Sequence, residues 1–182
     1  DRTLADTARS AGADVRERHT VVDLSERRDH VEVEVRGPDG VETHRGRMVV
    51  GCDGPKSRVR RSVGLPEPEE LLHGVLGFHD DPDHEEFVDV HLTVPRFFAW
   101  RIPRGEVGVE YGLATPPDDD VTERFEEFVS GYGVETERRC SGLIPIGSPE
   151  RTHTGRGFFL WDAAGQNQPF TAGGGLYRMT AA

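Results

Sequence analysis

Lysine is almost missing from this chain: of 22 basic residues only Lys56 is lysine, and the rest are arginine. Acidic residues outnumber basic ones 33 to 22, which gives a formal charge of −11. That balance excludes a nucleic-acid surface, because phosphate binding needs basic patches. It suits a salt-rich cytoplasm, where an acidic surface keeps a protein hydrated. It suits equally well a GC-rich genome that writes arginine for lysine. Cysteine is scarce too. Cys52 and Cys140 supply neither a disulfide framework nor metal-ligand spacing, so a reducing cytoplasm is the default compartment. No apolar run approaches the ~20 residues of a membrane span, and no signal peptide is visible. Nor does any G-x-G-x-x-G follow an opening strand, so the βαβ unit that cradles the ADP part of a dinucleotide is absent.

What is present is a soluble globular pattern over 182 residues. Leu4, Ala5, Ala8 and Ala11 sit at helical spacing before Gly12. Ala13–Leu24 reads as a strand. His30–Arg36 alternates, with Val31, Val33 and Val35 on one face. The turn Gly37-Pro38-Asp39-Gly40 leads to a polar strand, Val41–Arg47, and the three strands form a meander. Met48–Cys52 is a continuous apolar run, as in a strand covered on both faces. It ends in Asp53-Gly54-Pro55 and a short basic helix, Arg58–Val63, capped by Ser57. Glu85–Val94, Phe97–Pro103 and Val107–Ala114 read as antiparallel strands. Asp120 and Glu123 resemble a capping box before an apolar stripe of Val121, Phe125, Phe128 and Val129. Val134–Ile146 and Gly157–Trp161 are the last strands. The fold class is α/β (α+β). Asp1–Ala11 reads as the end of a helix already under way and Gly175–Ala182 as one just starting. The chain is therefore expected to be a piece cut inside a larger fold.

Two stretches carry the chemistry. Gly157–Trp161 runs into Asp162-Ala163-Ala164-Gly165 and then a Gly-rich entry to a helix. Small residues let a ligand touch backbone, helix N-terminal amides attract polar groups, and a lone acid can accept hydrogen bonds from hydroxyls. Gly51-Cys52-Asp53-Gly54-Pro55-Lys56-Ser57-Arg58-Val59-Arg60 repeats the plan: apolar strand, Asp-Gly turn, helix start. Either alone reads equally well as an ordinary loop; two in one chain are harder to dismiss.

Gly51–Arg60 fits the pattern G-[AC]-D-G-x-x-S-x-V-R, and the stretch from Trp161 to Gly174 is similar, with departures, to G-D-A-A-G-x-x-x-P-x-x-G-x-G; together they resemble two fingerprints of FAD-dependent oxidoreductases of the para-hydroxybenzoate hydroxylase type. Pro95-Arg96-Phe97-Phe98-Ala99-Trp100-Arg101-Ile102-Pro103 is similar to the P-x-x-[YF]-x-W-x-[FI]-P motif of the geranylgeranyl reductase family. The resemblance implies a partial FAD-binding domain with a β-meander (residues 1–66 and 151–182) around an antiparallel substrate-binding sheet with one helix (67–150). It implies FAD as cofactor and reduction of isoprenoid double bonds, as in archaeal lipid biosynthesis. The partners it implies are an isoprenoid or prenylated lipid substrate and an electron donor, NAD(P)H or ferredoxin. It implies work in the cytoplasm, with the membrane surface as a further expected place. Asp162 would hold ribityl hydroxyls; Ala163, Ala164 and Gly165 would let the cofactor lie close; Pro169, Gly173 and Gly174 would line the flavin. Asp53 and Gly54 would sit near the pyrophosphate. Pro95, Phe98, Trp100 and Pro103 would wall an apolar site, where burial is worth roughly 25 cal/mol per Å².

The sequence departs from the family at Trp161, where glycine is usual, and at Ala172 and Gly175. Two other readings fit the same residues: a flavin-dependent aromatic monooxygenase or halogenase of the same superfamily, and a non-catalytic remnant that binds no flavin. His79-Asp80-Asp81-Pro82-Asp83-His84-Glu85-Glu86 reads as a solvated acidic loop rather than a metal site. Arg101 and Arg104 read as side chains snorkelling from a sheet edge. Phe97, Phe98 and Trp100 read as plain core aromatics if they are not a substrate wall.

Overall fold

A computed structural model describes residues 2–147 and 149–167. Helix α1 (Arg2–Ser10) leads into a three-stranded antiparallel meander of β1 (Thr20–Glu26), β2 (Val31–Gly37) and β3 (Gly40–Gly46). The valine alternation of β2 has its predicted consequence, with Val31 only 1% exposed. Pro38 and Asp39 close the hairpin, and Gly40 takes φ +126, a value that costs glycine little. The strand expected from Ala13 begins only at Thr20; Arg18, at φ +58, breaks the extended path before it.

The strand β4 (Val49–Gly51) pairs in parallel with β10 (Gly157–Phe159), which returns from the far end of the chain. A Cβ on Gly51 would stand 2.7 Å from the Phe159 ring, so the glycine lets that ring lie against the strand. Phe159 joins Leu24, Val31, Val59 and Leu65 in one core. Val59 comes from α2 (Arg58–Ser62), where the Ser57 hydroxyl accepts from Arg60 N at 2.9 Å as an N-cap should.

A five-stranded antiparallel sheet forms the second body of structure. Its order is β6 (Asp89–His91), β7 (Ala99–Pro103), β8 (Val109–Thr115), β5 (Glu70–His79), β9 (Arg138–Ile146). One face packs on α3 (Val121–Ser130), whose Phe125 and Val129 are 0% and 2% exposed. Asp120 caps α3, accepting from Thr122 N and Glu123 N. The longest strand, β5, has no counterpart in the sequence reading. Its two glycines erase the alternation a strand should show. Gly77 is one of them: a Cβ there would meet Phe125 at 2.5 Å, so the side chain is missing where the helix needs the room.

The strand expected over Glu85–Val94 shrinks to the three residues of β6. Its upstream acids turn aside to Arg101. That arginine is 8% exposed and pairs with Asp83, with Glu85 at 2.7 Å and with Asp89 at 3.0 Å. It is therefore a buried clasp, not a snorkelling edge residue, and the acidic loop is its counter-charge. Burial works against the guanidinium's charge. Hydrogen bonds to Glu85, Tyr111 and Asp89, with Asp83 close by, outweigh it and hold the group well above its ordinary pKa. Among the described residues no group of three or more His, Cys, Asp or Glu is placed to hold a metal ion; where three carboxylates do converge, a cation is already present. No helix among the described residues is long and apolar enough to cross a membrane.

Candidate functional site

The two Asp turns leave neighbouring strands at the same end. Strands β4 and β10 run parallel, with Phe159 opposite Gly51, and Leu160 N donates to Gly51 O at 3.1 Å. Asp53 follows β4 by two residues; Asp162 follows β10 by three, at the head of a short 3₁₀ turn, Trp161–Ala164. Parallel strands that end together put both turns at the same end of the pair, the end where such sheets usually take their ligands.

Asp53 spends its carboxylate on its own turn. Oδ1 accepts from Ser57 Oγ at 2.5 Å, and Oδ2 from Arg58 N at 2.7 Å and Val59 N at 3.2 Å. It fixes the entry to α2, and its negative charge suits that helix end. Gly54, at φ +84, has open space where a Cβ would stand, so a ligand can approach its backbone. Partial burial and the nearby Asp53 both push the Cys52 thiol up, away from a reactive thiolate.

The second turn is built more tightly than its small residues suggested. Ala163 and Ala164 are 0% and 1% exposed and belong to the core. Their smallness serves packing first, leaving backbone for any ligand. A Cβ on Gly165 would meet Gly147 O at 2.6 Å, so the close approach there is to the protein's own chain. Asp162 is half-buried beside them. Pro169, Gly173 and Gly174 lie outside the described residues.

Arg60 is the residue that sequence reasoning missed. Quoted as the last position of the first motif, it received no role. It is 1% exposed and reaches both turns. Nη1 donates to Ala163 O at 2.8 Å, and Nη2 to Pro55 O at 2.7 Å and to Glu67.

Trp161, standing where the family pattern has glycine, adopts φ +62. That left-handed conformation costs an L-residue roughly 1–2 kcal/mol. The expected result of Trp161→Gly is a gain of about 1 kcal/mol in unfolding free energy, offset in part by lost indole contacts. Urea unfolding of the two proteins checks it; a loss of stability would show that those contacts outweigh the strain.

The face of the five-stranded sheet turned away from α3 is the other feature. Alternation along each strand puts Leu72, Gly74 and Leu76 of β5 on it, with Trp100 of β7, Gly112 and Ala114 of β8, and Cys140, Gly142 and Ile144 of β9. A cavity of about 280 Å³ opens there, bounded by Trp100, Leu76, Cys140 and Ile144, with no charged residue in its lining. Gly112 seats the indole, since a Cβ there would stand 2.3 Å from Trp100. Phe98 lies 5.6 Å from the Trp100 ring and stacks on Phe97 at 4.3 Å. The expected wall is thus half assembled. Pro103, three residues from Trp100 along β7, falls on the opposite face by the pleat. Pro95 stands exposed in the preceding turn.

Comparison with known proteins agrees with this geometry. The chain is 34% identical over 188 residues to digeranylgeranylglycerophospholipid reductase 2 of Methanothermobacter thermautotrophicus, covering 96% of this chain and 49% of that protein. It is 35% identical over 167 residues to digeranylgeranylglycerophospholipid reductase 1 of Methanopyrus kandleri, covering 79% and 43%. The chain thus spans about half the length of the curated relatives it matches. In fold it is similar to a geranylgeranyl bacteriochlorophyll reductase-like protein of Thermoplasma acidophilum, with TM-score 0.87 at 18% identity, covering 99% of this chain and 50% of that one. The sequence profile of the FAD binding domain matches residues 1–130. Two Asp turns at the ends of paired parallel strands, and a profile match over most of the length, establish that the chain belongs to the FAD binding domain family.

Proposed function

We propose that this chain is the part of an FAD-dependent reductase that grips the flavin and takes up the isoprenoid chain of a prenylated lipid. In this reading residues 1–66 and 151–182 are the flavin side and 67–150 the substrate side. The observation that supports it is the parallel pairing of β4 with β10, after which both Asp turns follow at the same strand end. The residues fit the cofactor: Gly54 leaves open space for an approaching group, and the turn at residues 161–164 follows β10 at the strand end where the Gly54 turn follows β4. When bound and reduced, FAD supplies the hydride chemistry. The chain's own residues do the rest. Asp162 orients hydroxyls and Gly54 admits the pyrophosphate. Asp53 holds that turn in shape. The Trp100 face takes an apolar chain out of water. NAD(P)H or a ferredoxin is the reductant. The names of the methanogen relatives support the lipid substrate. Phe87, Val88, Val90 and Leu92 stand exposed around β6 and give the protein an apolar margin with which to meet a lipid surface.

The test supplies the protein carrying this chain with FAD, dithionite and a geranylgeranylated glycerophospholipid, and follows lipid mass. A gain of one pair of hydrogens for each double bond is expected. An unchanged lipid, with oxygen-dependent hydroxylation of an aromatic compound instead, would overturn the reading in favour of a monooxygenase.

A further inference from the structure

The strongest unexplained group in the molecule is the buried guanidinium of Arg60. Its two terminal nitrogens join carbonyls that are 108 residues apart along the chain (163 − 55): Pro55 O in the first Asp turn and Ala163 O in the second. Its Nε is buried with no hydrogen-bond partner in the structure. A merely structural arginine at 1% exposure would be expected to satisfy every donor. Glu67, which is half-exposed, balances its charge from outside.

We infer that Arg60 is a positioning residue that sets the distance between the two turns, and so the span of cofactor they grip together. The inference rests on the flavin reading proposed above. The reason is geometric. Arginine's planar fork reaches two acceptors in fixed directions at once, whereas the lysine ammonium is a point charge on a flexible stem. Each turn is well braced locally: the first by Asp53 on α2, the second by Gly165 against Gly147. The β4–β10 pairing ties the strands together as far as Leu160 N on Gly51 O, and past that last bond Arg60 sets how far apart the two locally braced turns stand. A ligand that touches both turns feels that separation; a ligand that touches one does not. FAD spans a pyrophosphate and a ribityl chain. Riboflavin has only the ribityl side.

The experiment compares wild type with Arg60→Lys, measuring dissociation constants for FAD and for riboflavin by quenching of flavin fluorescence, with thermal melting of the ligand-free proteins alongside. Lysine keeps the charge beside Glu67, so the variant is expected to fold. FAD binding is expected to weaken about tenfold or more, the scale of one lost charge-assisted hydrogen bond, while riboflavin changes less than about threefold. Adding ethylguanidinium to Arg60→Ala is expected to restore part of the FAD affinity. Equal weakening for both flavins, or a lower melting temperature with both constants unchanged, would overturn the positioning role and reduce Arg60 to a structural brace. If wild type itself quenches neither flavin, the flavin reading fails, and this inference fails with it. If wild type binds FAD and Arg60→Lys binds it equally, only the inference fails.

Discussion

Arg101→Met is expected to lower the unfolding free energy by about 3 kcal/mol, at the lower end of what breaking a buried ion pair costs. The argument is one of imbalance. Asp83, Glu85 and Asp89 converge on this guanidinium, and removing it leaves three like charges together. The cost stays at the low end because Glu85 is half-exposed and water can reach it. For a protein of this size that loss moves the melting temperature down by roughly 6–12 °C. Two companion variants separate charge from packing. Adding Asp83→Asn to Arg101→Met should recover part of the loss, by relieving repulsion. Arg101→Lys should recover little, because one ammonium cannot reach three acceptors in the directions the guanidinium serves. A melting temperature unchanged in Arg101→Met would mean that the acidic segment is held by something other than this clasp.

That cluster also shows where sequence was legible and where it was not. Local features read well. The valines of β2, the Ser57 cap, and the Asp120 cap with the stripe of Phe125 and Val129 depend on neighbours within one or two turns of chain, and each lies where its spacing puts it. The two Asp turns were legible for the same reason, and their motif order gave the family. What failed was long range. The acids at 83 and 85 read as solvated, and Asp89 only as part of a strand, because their partner sits twelve or more residues away on another strand. Strand β5 was invisible because Gly74 and Gly77 stand at positions that would have displayed a hydrophobic face. Both are glycine owing to neighbours from distant segments, Ile144 and Phe125. Ala163, Ala164 and Gly165 were read as room for a ligand. Small side chains are demanded equally by a tight core and by a backbone crossing, and here those demands came first. The signal that could have found Arg60 was its type and place: a single arginine on the short helix's inward side, next to Val59, where an apolar residue belongs.

Gly142→Leu is expected to abolish most reduction of a long isoprenoid, by tenfold or more in kcat/KM, about 1.4 kcal/mol in transition-state terms, while the melting temperature stays within a few degrees. The floor of the apolar face is the row Ala114, Gly74, Gly142, paired directly across β8, β5 and β9. One row to either side stand the walls. Leu72 and Ile144 form one; Trp100, Leu76 and Cys140 form the other. Each wall row lies about 7 Å from the floor row, two residues at about 3.4 Å. After the wall side chains take their share, what remains is carbon–carbon contact distance for one hydrocarbon chain. Ile144 already leans over Gly74, where a Cβ would meet it at 3.0 Å. Gly142 differs: a Cβ there meets nothing within 4 Å, so a larger side chain is tolerated by the fold and intrudes only on the furrow. Trp100 fluorescence titrated with geranylgeraniol reads the same loss as weakened binding. Full activity in Gly142→Leu would place the substrate elsewhere than on the Trp100 face.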